Sequence, residues 1–456
     1  MLFNSFVFLF GFLPLVLAGW FALARHEAAR LWFLLGASVV FYGWWDVAFV
    51  PLLLASVGVN WLLAVWYDRT RRHGLFVLAI AGNLAVLGAF KYVAFFSGVM
   101  ADLTGLEVRA PQWVLPLGIS FFTFHHIIYW VDLKRRAAPL YALRDYALYI
   151  AFFPQILSGP LVRNREIVPQ FTLAPLREGW RMRLAQGSVL VLIGLLKKVA
   201  LADPLAGVAD PVFAAAATTT PTLLEAWSAT CAFALQIYFD FSGYTDMAIG
   251  LALMLGLVLP INFDVPYRAT SLQDFWRRWH ITLSRFLRDY LYVPLGGNRF
   301  GLNRQIAALM ATMVLGGLWH GSGWTFLLWG AVHGFGLCAH LLWRRSGYSM
   351  PAVLGWALTL VFVVLAWVPF RAPDLATTGA MLAAMTGLGD AGIGHLASWR
   401  TLLSGAVVAM VGPTALAVAT GVRPRWWVAV LVGLAWVYAL LKLNDGVGSA
   451  FIYFQF

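Results

Sequence analysis

Charge is what this chain has least of. Of its 456 residues only 11% are Asp, Glu, Lys or Arg, against roughly 25% in a soluble globular protein. That deficit excludes a large soluble fold. Cysteine is nearly absent as well: Cys231 and Cys338 both sit in apolar runs, so neither a disulfide scaffold nor a cysteine-rich metal site is expected. The chain has no dinucleotide-binding glycine pattern and no P-loop lysine motif, which sets aside the common nucleotide folds. Its histidines show no tight ligand spacing, so no metal is expected. Acidic residues number 20 against 32 basic ones, a net charge of +12. The basic residues cluster at the ends of apolar runs, as at the cytoplasmic ends of membrane spans. No nucleic-acid partner is expected.

What remains is hydrophobic, 61% of the chain. Uncharged stretches recur at about the twenty residues that a helix needs to cross the hydrocarbon. The fold class is therefore all-α and polytopic, with about eleven to thirteen membrane segments in a single integral domain over residues 1–456, surrounded by membrane lipid. Phe3–Ala24 lacks a basic leader and a small-residue cleavage site, and reads as a retained span. Basic clusters at Arg25, His26 and Arg30, at Arg69, Arg71 and Arg72, and at Lys134, Arg135 and Arg136 predict an outward N-terminus. Tyr146–Leu161 carries Pro154 and Gly159-Pro160 and should be kinked or partial. Lys197-Lys198 is expected to snorkel toward headgroups. Pro351–Pro369, Thr401–Gly421 and Trp426–Leu441 read as further spans.

The stretch 236–334 departs from this pattern and is the expected catalytic region. Polar residues kept at membrane depth are functional candidates by default. QIYFDFSGYTDMAIG (Gln236–Gly250) carries Asp240 and Asp246, with support of the fold the first role for both and cavity lining the second. LQDFWRRWHITLSRFLRDYLYVPLGG (Leu272–Gly297) interleaves Arg277, Arg278, Arg285 and Arg288 with aromatics such as Trp276 and Trp279. Such a surface either meets lipid phosphates or holds the phosphates of a soluble donor, and arginine is well shaped for both. LGGLWHGSGWTFLLWGAVHG (Leu315–Gly334) then forms a hairpin. Gln305–Trp319 would rise about 22 Å as a helix, which places the turn His320-Gly321-Ser322-Gly323 deep in the bilayer.

Nine histidines are available. His26 and His73 adjoin basic loops, and His395 lies in an outer loop. His320 stands apart: glycines at 321 and 323 permit close backbone approach. An apolar setting disfavours a charged imidazole, and the neutral form is the one a general base needs. His280 lies forty residues earlier in WRRWH, and its role is either interfacial or catalytic. His333 and His340 share one helix face, where they line a polar passage or fill core positions.

These residues carry a resemblance. YGWWD (Tyr42–Asp46), LPLGISFFTFHHIIYWVD (Leu115–Asp132), FFPQILSGPLVR (Phe152–Arg163), LIGLLKKVALAD (Leu192–Asp203), WVPFRA (Trp367–Ala372) and FIYFQF (Phe451–Phe456) join the three central motifs. Together they resemble the membrane-bound O-acyltransferase family, on the branch of the bacterial alginate O-acetyltransferase membrane subunit, and more distantly the teichoic acid D-alanyl transferase. The resemblance implies a multi-helix fold around a central tunnel. It places the family's invariant histidine at His320 and a second signature residue at His280. It implies acyl transfer from a thioester to a hydroxyl, with acetyl-CoA as a cytosolic donor substrate and no permanently bound cofactor. The implied acceptor is an extracytoplasmic polysaccharide, often reached through a periplasmic or membrane-anchored partner with a catalytic serine. The implied location is the bacterial inner membrane. Donor contacts are expected from Arg277, Arg278, Arg285, Arg288 and Trp279, with Asn262 and Ser322 as candidate oxyanion donors. His125-His126 departs from the branch, where a less basic pair containing glutamine is expected. Other readings are D-alanyl, lipid or peptidoglycan O-acyl transfer, or a transporter or export component. Broken helices suit a transporter, but no inverted repeat accompanies the single WHGSG turn.

Overall fold

A computed structural model describes all residues except 107–112, 389–392, 395–397, 422, 424, 446–450 and 453–456. His395 and the last residues of the FIYFQF motif thus lie outside the described residues. Every described element is a helix. Five helices are long and apolar enough to cross a membrane: Val47–Thr70, His73–Thr104, Trp324–Arg345, Ala352–Arg371 and Trp426–Asn444. A sixth arises if Trp399–Val411 and Ala415–Gly421 count as one bent span. The protein is a multi-pass membrane protein. The expected span Thr401–Gly421 falls on this pair, which is bent by 66°, because Pro413 at the break cannot donate a helical hydrogen bond.

The chain forms two compact units, residues 1–192 with 244–260, and residues 193–243 with 261–456. The division falls within the helices Trp180–Leu196 and Leu223–Met254.

The first unit shows how a membrane helix bundle satisfies polar groups that lipid cannot. Asn60 and Asn83 exchange amide hydrogen bonds at 3.1 and 2.7 Å, and the Trp130 indole donates to Asn60 Oδ1 at 2.8 Å. This ties the Val50–Thr70 and His73–Thr104 helices to Ile119–Lys134. His126 shares a 2.5 Å hydrogen bond with the Tyr146 hydroxyl and one of 3.3 Å with Ser56 Oγ. His125 packs edge-on against Tyr149. The unusual His125-His126 pair is thus part of the packing within this unit. Tyr146–Leu161 is broken as expected, its helix ending at Ala151 before Pro154.

In the second unit Lys198 does not snorkel. Its side chain is 1% exposed, and Nζ lies 2.9 Å from Asp203 and 2.7 Å from Asp240. Two carboxylates on neighbouring turns and helices repay its desolvation better than a distant headgroup. Asp240 also accepts from the backbone N–H of Ile452 at 2.8 Å, so the end of the described chain is tied to the same charge cluster.

The helical hairpin Leu302–His320 and Trp324–Arg345 dominates this unit. Its arms approach closely because glycines face each other. A Cβ on Gly317 would run into the carbonyl of Phe326, and one on Gly330 into that of Met313. Small residues at such crossings let backbones meet where no hydrophobic drive separates lipid from protein.

Candidate active site

Of the stretch 236–334, all but residues 244–260 lies in the second unit, and so do all the residues of the site. His320 is the last residue of the first hairpin arm, where Gly321 lets the chain leave the helix in extended conformation. The imidazole is 4% exposed and sits in an aromatic cage. Trp319 lies at 4.8 Å, Trp329 at 5.0 Å and Phe370 at 5.3 Å between ring centroids. Trp329 comes from the second arm and Phe370 from the following helix, Ala352–Arg371.

His280 reaches the same cage by another route. It connects the short helices Leu272–Arg278 and Ile281–Leu287 with φ +43° and ψ +54°. A non-glycine residue seldom takes this left-handed conformation, and the surroundings must hold it there. Asn262 does so. Its carbonyl accepts from Ile281 N at 2.9 Å, and its Oδ1 accepts from Thr282 N at 3.1 Å and Thr282 Oγ1 at 2.6 Å. The buried His280 ring then lies 4.7 Å from Phe241 and 6.4 Å from Trp319. His280 and His320 therefore stand against one shared indole. His333 joins from the second arm, 4.8 Å from Trp329 and 5.2 Å from Trp276.

Next to this cage lies a cavity of about 480 Å³. Arg277, Arg285, Arg288 and Arg344 line it with Gln273, Tyr292, Gln305 and His340. Asp289 accepts from Arg288 Nε at 2.8 Å. This hydrogen bond and the carboxylate charge push the Arg288 guanidinium above its ordinary pKa. Arg344 donates to Gln273 Oε1 at 3.0 Å, which aims a cation from the far end of the hairpin at the cavity. Trp276 and Met313 line the same cavity. Trp276 also packs edge-to-face 5.9 Å from Trp329, so two indoles in contact, Trp276 then Trp329, connect the arginine cavity wall to His320.

The structure thus gathers His320, His280 and His333 in one cage, and Arg277, Arg285 and Arg288 in the adjoining cavity. Three other candidates lie elsewhere. Arg278 pairs with Asp274 at 2.9 Å and Asp264 at 3.7 Å. Trp279 is buried, stacked 5.6 Å from Phe275. Ser322 is exposed in the hairpin turn. Arg344 and Trp329 were missed by sequence reasoning. A cation about six turns from the glycine-rich motif gives no local signal, and a tryptophan in an apolar helix reads as core.

Among the described residues no group of three or more His, Cys, Asp or Glu could hold a metal ion.

Residues 85–375 match the family model of the membrane-bound O-acyltransferases. A peptidoglycan O-acetyltransferase of Helicobacter pylori is 39% identical over 433 residues, covering 87% of this chain and 82% of that protein. A probable alginate O-acetylase of Pseudomonas putida is 38% identical over the full length of both chains. A teichoic acid D-alanyltransferase of Streptococcus thermophilus is more distant, 28% identical over 50% of this chain and 58% of its own. The chain belongs to the membrane-bound O-acyltransferase family and is an enzyme of O-acyl transfer.

Proposed function

We propose that this enzyme moves an acetyl group from cytosolic acetyl-CoA to a hydroxyl of an extracytoplasmic polysaccharide, directly or through a partner protein's serine, in the bacterial inner membrane. The observation that carries the reading is one unit holding both a four-arginine cavity and, behind two indoles, a caged histidine. The names of two relatives, one acting on peptidoglycan and one on alginate, support an acetyl group and a glycan acceptor.

The division of labour follows from the chemistry. Coenzyme A carries a diphosphate and a further phosphate, and charge-assisted bonds from arginine are the strong way to hold them. Arg277, Arg285, Arg288 and Arg344 do this at the cavity. A thioester is already an activated acyl donor, whereas an alcohol is a weak nucleophile until a base takes its proton. His320 is that base. His280, which also packs near Trp319, positions the shared indole and so the base. A tunnel through the fold would carry the acyl group to the acceptor without moving the coenzyme itself.

The test uses purified full-length protein in lipid nanodiscs with radiolabelled acetyl-CoA and either alginate or peptidoglycan fragments. Alkali-labile label on the glycan is expected. If acetyl-CoA is left intact while a D-alanyl donor is consumed, the acetyl assignment is wrong.

A further inference from the structure

Two buried indole N–H groups on the path from the arginine cavity to His320 make no hydrogen bond to the protein. They are Trp276 Nε1 and Trp329 Nε1, and beside them both ring nitrogens of His333 are also without a partner. Buried polar groups are nearly always paired, and each exception calls for an explanation. Leaving a buried donor unsatisfied is costly, and three neighbouring side chains here bear that cost together. They are not scattered: the His333 ring lies 5.2 Å from Trp276 and 4.8 Å from Trp329, and the indoles are 5.9 Å apart. Trp276 forms part of the cavity wall, while Trp329 touches the His320 ring.

We propose that the indole N–H groups of Trp276 and Trp329 are the oxyanion donors of the transfer reaction, with His333 as the third polar group of the same lining. The inference rests on acetyl-CoA as donor and on His320 as base. In the first step the hydroxyl oxygen attacks the thioester carbonyl carbon. A C–O bond forms, the π pair moves onto the carbonyl oxygen, and the hydroxyl proton passes to His320. The new negative charge lies where neutral N–H donors are already fixed among buried side chains. Collapse returns the pair to the C=O bond and breaks the C–S bond, and the leaving thiolate takes the proton back from His320. Preorganised donors aimed at such a charge stabilise the transition state more than the bound thioester.

The experiment replaces Trp329 site-specifically with benzothienylalanine, which keeps the two-ring shape and puts sulfur in place of the N–H. Thiol release from acetyl-CoA is followed in nanodiscs with alginate or peptidoglycan fragments present as hydroxyl acceptors, with Trp276→Phe and Trp329→Phe alongside. The expected result is a fall in kcat on the order of 10²-fold per lost donor, with KM for acetyl-CoA little changed. Wild-type kcat in the benzothienyl protein, or a rise in KM alone, overturns the proposal. Failure of the wild-type protein to release thiol would instead overturn the donor assignment beneath it. The shape-matched variant keeps the test decisive if either phenylalanine variant fails to fold.

Discussion

At the scale of single residues, the site depends on which side chains share a ring. His320 was legible in the sequence because a polar residue between glycines interrupts two apolar helices. His280 was legible only through the resemblance, since forty residues separate it from His320. What joins them is a left-handed backbone at 280, held by Asn262 and Thr282, and no local pattern announces it. Asn262→Ala should therefore slow acetyl transfer. The released turn would also destabilise the protein by about 1–3 kcal/mol, read by thermal unfolding in detergent. Unchanged transfer with unchanged stability would show that the turn holds itself. On the proposed reading His280 positions the base and does not bind the donor, so His280→Gln should lower kcat more than it raises KM for acetyl-CoA; steady-state kinetics separate the two.

At the scale of elements, the hairpin and the arginine surface carry the proposed function. The hairpin was legible from apolar length on either side of the WHGSG turn. The two-indole path was not, because it depends on the edge-to-face packing of Trp276 against Trp329 across two helices. Gly330→Val should push the arms apart, since even the first carbon meets the Met313 carbonyl. The expected cost is about 1–3 kcal/mol of stability together with loss of transfer, measured by unfolding and by thiol release. If the four-arginine cavity holds the donor as proposed, its affinity is electrostatic. Arg277→Gln with Arg285→Gln should raise KM for acetyl-CoA by at least about tenfold, since one charged hydrogen bond contributes about 1.5–3 kcal/mol, with a smaller effect on kcat. Rising salt should weaken the wild type more than this double variant. The bend at Pro413 and the inward turn of Lys198 escaped the hydropathy pattern for opposite reasons. A proline inside an apolar run barely changes mean hydropathy, and a lysine beside apolar residues looks like an interfacial anchor until its carboxylate partners are found in space.

At the scale of the whole molecule, composition alone fixed the class: too little charge for a soluble fold and too many apolar runs for anything but a polytopic membrane protein. The charge that does lie inside is placed with its counterpart. Lys198, Asp203 and Asp240 form one buried cluster that also receives Ile452. Asp240→Ala should destabilise the protein by about 3–5 kcal/mol by leaving Lys198 with one carboxylate, seen as a lower unfolding temperature in nanodiscs. The central claim, however, concerns His320 and is tested most directly by its removal. Acetyl transfer from radiolabelled acetyl-CoA to glycan is compared between wild type and His320→Ala, both shown to be folded by size-exclusion profile and unfolding temperature. The account predicts transfer by the wild type and none above background by the folded variant; transfer by that variant at the wild-type rate would contradict it.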